Sequence, residues 1–109
     1  MKDLYSKYAQ NHIHKTLFMS TAWMIRGYEI YKAILSDPDT PQRRRQIMAR
    51  NIQIIDAAAE GIPEDCRQII MDKLIHNKPL PPYDKEVNRN LVNFIIEVAY
   101  RNFQEMMVF

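Results

Sequence analysis

The chain has 109 residues, 47% of them hydrophobic and 26% charged, with a net charge of +2; this is the make-up of one folded domain, 1–109, and excludes disorder along its length. Cys66 is the single cysteine, which excludes a disulfide scaffold, and 15 bases against 13 acids are too evenly matched to make the whole surface a footprint for nucleic acid. The apolar run Leu17–Ile25 is broken by Ser20 and Thr21, well short of the roughly 20 residues that span a bilayer, and Met1–Lys7 lacks the apolar stretch of a secretory signal, so the expectation is a cytoplasmic chain with no membrane partner.

Apolar residues recur at helical spacing, and proline and glycine punctuate them at 36–41, 61–63 and 78–82, giving four segments. In the first, Met24, Tyr28, Tyr31 and Leu35 step by four, three and four, which predicts one long amphipathic helix. Residues 1–20 are more polar and read as its continuation, a separate short helix or a frayed terminus. The second segment opens on Asp39-Thr40-Pro41, where Thr40 is the expected cap and Pro41 suits the first turn. Its stripe runs Ile47, Asn51, Ile54, Ala58 beside Met48, Ile52, Ile55, Ala59, and it ends at Gly61, expected in the left-handed conformation.

Pro63 starts the third segment, with Glu64 and Asp65 favourable to the helix dipole and Cys66, Ile69, Ile70, Leu74 and the Lys73 stem on its buried face. Lys78-Pro79-Leu80-Pro81-Pro82 is a stiff connector, because each proline removes a donor and extends its predecessor. Asp84 then caps a last helix whose stripe, Val87, Leu91, Phe94, Ile95, Val98 and Asn102, is widened by Val92, Ile96, Ala99 and Phe103. No stretch alternates with the period of a strand, so the fold class is all-α, with four main helices.

Catalytic signatures are lacking. His12 and His14 lie two apart, where helical neighbours do not face each other, and no carboxylate or cysteine sits at an offset that completes a metal site. His76 falls where a cation caps a helix C-terminus, and Cys66 reads as a small core residue. Two glycines cannot build a phosphate loop. The expectation is a non-enzyme without metal or cofactor. The densest charge is Arg43-Arg44-Arg45, three arginines fanned about 100° apart at the start of a helix, where they oppose the dipole. They read either as a solvated or internally paired face or as contacts to phosphate or an acidic partner. Met106, Met107, Val108 and Phe109 make an apolar end suited to a partner subunit.

Tyr31-Lys32-Ala33-Ile34, Asp37-Pro38-Asp39-Thr40-Pro41, the run Ala57–Ile70 with Ile62-Pro63-Glu64-Asp65-Cys66-Arg67, Asn88-x-x-Leu91-Val92 and Ala99-x-x-x-Phe103 together cover about three-quarters of the chain. In these motifs the sequence resembles small phage-type transcriptional regulators of Gram-positive bacteria, related to late-gene activators whose C-terminal part is similar to region 4 of sigma factors. The resemblance implies that 62–105 is a helix-turn-helix-like part, with the third segment supporting and the fourth reading the major groove of double-stranded DNA. It further implies base or phosphate contacts from Lys85, Asn88, Arg89 and Asn93, and a phosphate contact from Arg67.

In this sequence 78–84 is too short for a middle helix and two turns, so the implied motif is abbreviated. Lys85, Arg89 and Arg101 are matched by Glu86, Glu97 and Glu105 within 85–109, and the last helix is locally neutral. Two functional readings follow. One is a phage or prophage regulator that binds DNA or the transcription complex. The other is a helical scaffold or interaction module that forms a homo-oligomer through its last helix and touches no nucleic acid.

Overall fold

The computed structural model describes residues 15–107, and side chains from 16 to 105. Expectations for residues 1–14, including His12 and His14, for the side chains of Met106 and Met107, and for Val108 and Phe109 lie outside the described residues. The described residues are all-helical: α1 Lys15–Arg26, α2 Tyr28–Ser36, α3 Gln42–Glu60, α4 Glu64–His76 and α5 Lys85–Met107. None of these helices is long and apolar enough to cross a membrane.

There are five helices where four segments were expected, because the first is split at Gly27. The Gly27 N–H bonds back to the Met24 carbonyl at 3.1 Å, and the Tyr31 hydroxyl donates to the same carbonyl at 2.7 Å. A side chain thus enters the helical ladder, a recognised cause of a sharp bend. Glycine leaves room for this contact, since a Cβ on Gly27 would lie 2.6 Å from the Tyr31 ring and the ring would have to shift.

Two further expectations are corrected. Thr40 does not cap α3: its hydroxyl donates to the Ile34 carbonyl at 2.7 Å, tying the loop back to α2, and Pro41 holds the cap position. Gly61 is right-handed, with φ −77°, and what it supplies is space, because a Cβ there would stand 3.2 Å from the Phe94 ring. Among the described residues the left-handed ones are Asn77, which ends α4 at φ 52°, and Asp84, which leads into α5 at φ 50° and accepts the Asn88 N–H on its carbonyl at 2.9 Å.

α5 lies at the centre, packed against α1, α3 and α4, while α2 lies along α3. The core joins Ile25, Ile54, Ile55, Ala58, Ile62, Ile70, Leu74, Leu91, Ile95, Ile96 and Ala99. The wide apolar face of the last helix therefore packs within the chain. Ile96 is 3% exposed and belongs to this core. Phe94 approaches Gly61 of α3, and the Arg50 guanidinium lies 5.6 Å from the Phe103 ring, so α3 and α5 run antiparallel.

Candidate functional site

The antiparallel pairing decides how the expected nucleic-acid contacts are distributed. Arg43 and Arg44, both exposed, stand at the start of α3, and Lys85 and Arg89, both exposed, stand at the start of α5. At 1.5 Å per residue along the two helices the groups are about 30 Å apart, at opposite ends of the pair. They do not form one patch.

The other expected contacts are held inside. Arg45 donates to the carbonyls of Thr40 at 3.1 Å, Leu35 at 2.9 Å and Asp37, closing the α2–α3 loop. Arg67 donates to Ala59 at 2.9 Å and Ile62 at 3.2 Å, satisfying carbonyls at the end of α3. Asn88 is 5% exposed, with its amide near the Tyr83 carbonyl, and Asn93 is half-buried. Of the eight expected contacts, only Arg43, Arg44, Lys85 and Arg89 present open side chains.

A cleft between α2, α3 and α4 is lined by the polar side chains of Glu29, Asp56, Glu64, Asp72 and His76 among others. There the Tyr28 hydroxyl donates to Asp56 Oδ1 at 2.7 Å. Burial first, then that bond and the nearby carboxylates, push the Tyr28 phenol up to about 12. His76 lies 4.0 Å from Glu29 and so meets α2 as well as the end of its own helix. Among the described residues no group of three or more His, Cys, Asp or Glu is placed to hold a metal ion. Cys66 is free and half-buried at the edge of the core.

Sequence reasoning missed a groove of about 390 Å³ where α1, α3 and α5 meet. α1 contributes Leu17, Ser20, Thr21 and Met24, α3 contributes Ile47, Arg50 and Asn51, and α5 contributes Tyr100 and Phe103. The hydroxyls of α1 are engaged within it, Ser20 with the Thr16 carbonyl at 2.9 Å and Thr21 with Leu17 at 2.8 Å, and the Tyr100 hydroxyl accepts from Gln104 Nε2 at 2.8 Å. The groove thus offers apolar wall from Leu17, Met24, Ile47 and Phe103 together with the polar groups of Arg50, Asn51 and Tyr100. Leu17 and Ile47 at the groove, with Met19 and Trp23 on another face of α1, are four of the seven large hydrophobic side chains that stand exposed among the described residues. Several exposed large apolar side chains gathered on one helix and its groove mark an interaction surface more often than an isolated residue does.

Compared with protein-family models, with curated proteins and with solved structures, the chain finds no match.

Proposed function

We propose that this chain is a non-catalytic, cytoplasmic helical module that works by protein contact through the α1/α3/α5 groove. The observation that carries the reading is the groove itself, with apolar wall from Leu17, Met24, Ile47 and Phe103 and with Met19 and Trp23 exposed on another face of α1. It is supported by the inward engagement of Arg45, Arg67 and Asn88, which takes three of the expected nucleic-acid contacts away from the surface. A groove that is open predicts that the apolar dye anilinonaphthalene sulfonate brightens with dilute folded protein, and that Ile47→Glu removes the effect without unfolding the chain. Equal dye binding by the wild type and the variant would sink the reading.

A second reading, the phage-type regulator acting on double-stranded DNA or the transcription machinery, is favoured by exposed Lys85 and Arg89 on the first turns of α5. Anisotropy of labelled duplex DNA, of random sequence and from the gene's own neighbourhood, separates the two. The docking reading expects weak binding at low salt. Tight, salt-sensitive binding whose sequence preference relaxes in Arg89→Ala would establish the regulator instead.

A further inference from the structure

We propose that α2 is a strap: it parts from α3 as one unit, unfolding between Gly27 and Pro38 while the other helices stay folded, and lays open the cleft it borders.

Burial is shared unevenly among the helices. α1 buries Thr21 and Ile25, α3 buries Ile54, Ile55 and Ala58, α4 buries Ile70 and Leu74, and α5 buries Leu91, Ile95 and Ala99. No residue of α2 is buried. Its Tyr28 and Tyr31 rings pack against the core while staying partly exposed, and Ile30 is 62% exposed. A segment with so few buried apolar contacts opens at the low end of a protein's range of free energies. With nine residues, α2 is also shorter than the roughly 12–15 at which a helix by itself is marginal in water, so it unravels once it leaves α3.

What fastens α2 is mostly polar. The Tyr28 hydroxyl donates to Asp56 of α3 at 2.7 Å, and Glu29 stands 4.0 Å from His76 of α4. Near its end the Ile34 carbonyl accepts from Thr40 at 2.7 Å and the Leu35 carbonyl from Arg45 at 2.9 Å. Ties of this kind near the surface are exchanged for bonds to water when they break, so each adds only a modest increment. The chain is also divided on both sides of the strap. Gly27, free of a Cβ, interrupts the ladder before it, and Pro38 and Pro41 stand between it and the start of α3.

The remainder does not depend on the strap. α5 holds α1, α3 and α4 together from the centre, and their shared apolar residues stay enclosed when α2 lifts. What changes is the cleft. α2 supplies Tyr28 and Glu29 to it, and with these gone Asp56 and Ala59 of α3 and Met71 and Ile75 of α4 are left as one open face. The fold thus carries a surface that is covered in the closed state and uncovered without global unfolding.

The test is hydrogen exchange of the full chain, read amide by amide by NMR at rising urea below the unfolding transition. The amides of 31–36 are expected to exchange as a group, roughly 100-fold or more faster than those of Ile95, Ile96 and Ala99 after correction for intrinsic rates. Their exchange should also respond more weakly to urea, because the opening exposes less surface. Tyr28→Phe removes one tie and should speed the α2 amides roughly 5-fold. Ile95→Val thins the core and should speed the α5 amides roughly 5-fold while leaving those of α2 unchanged. Circular dichroism confirms that each variant is folded. Amides of α2 that share the rate and urea dependence of α5, or that speed up with it in Ile95→Val, overturn the proposal. So do α2 amides that exchange each at its own rate with no urea dependence, which is fraying and not the release of a unit.

Discussion

Arg45 and Arg67 perform the same task at two corners of the chain: each guanidinium gathers carbonyls that a helix end or loop leaves without a donor. Adjacent arginines in one run thus have different roles, because Arg44 is exposed while Arg45 clasps Leu35, Asp37 and Thr40. Arg45→Ala is expected to cost about 2 kcal/mol, within the usual range for hydrogen bonds to a charged group. Arg44→Ala should stay within about 0.5 kcal/mol, as surface changes do. Urea unfolding of the two variants side by side checks both.

Tyr28 gives this scale a pH dependence. Its phenol, pushed up to about 12 chiefly by burial and then by Asp56, holds its proton more tightly in the folded chain than in the unfolded one. That stabilisation is complete below the ordinary tyrosine value near 10 and is lost as the pH climbs from about 10 to about 12. Tyr31 adds in the same direction, because burial raises its phenol too. Urea midpoints should fall over that alkaline interval, and less steeply in Tyr28→Phe, with phenolate absorbance of the folded chain appearing late for these two residues.

At the scale of elements, much was legible because proline acts locally. Pro41, Pro63 and the 79–82 cluster fix φ and remove donors wherever they stand, and the boundaries they imply are where α3, α4 and α5 begin or the chain stays extended. Periodicity likewise found the buried faces: Ile54, Ile55 and Ala58 on α3, Ile70 and Leu74 on α4, and Leu91, Ile95 and Ala99 on α5. The division at Gly27 was not legible, since Met24, Tyr28, Tyr31 and Leu35 continue the apolar column across it. What bends the helix is the Tyr31 hydroxyl folding back onto the Met24 carbonyl, an interaction periodicity does not encode.

A prediction follows for Gly27→Ala. Alanine favours a helix over glycine by roughly 0.5–1 kcal/mol, but its Cβ displaces the Tyr31 ring and breaks the hydroxyl bond, so a net loss of about 1 kcal/mol is expected. Pairing the change with Tyr31→Leu, which opens the space, should cancel most of its effect. Thermal unfolding of the two singles and the double closes the cycle.

For the whole molecule, the candidate groove was the least legible feature. Leu17, Ile47 and Phe103 belong to three different helices and meet only after α5 has packed between α1 and α3. Each carries an ordinary apolar signal in the sequence, and nothing local distinguishes a groove wall from a core position. The expected nucleic-acid contacts lie apart in the fold for the converse reason. Their residue types suit phosphate and bases, but the antiparallel course of α3 and α5 separates the basic ends, and the fold engages Arg45, Arg67 and Asn88 internally.

That separation also bears on how the charge is arranged. Arg43 and Arg44 stand with Asp37 and Asp39 just before them in the chain, and Lys85 and Arg89 with Asp84 and Glu86, all exposed, so each end of the α3–α5 pair carries bases and acids together. Neither end is a pole of one sign. The field of any one of these charges decays over about 10 Å at 0.1 M salt, well short of the 44 Å length of the molecule. A charged body arriving at one end is then not felt at the other, and the two ends act on their surroundings as independent, mixed-charge surfaces.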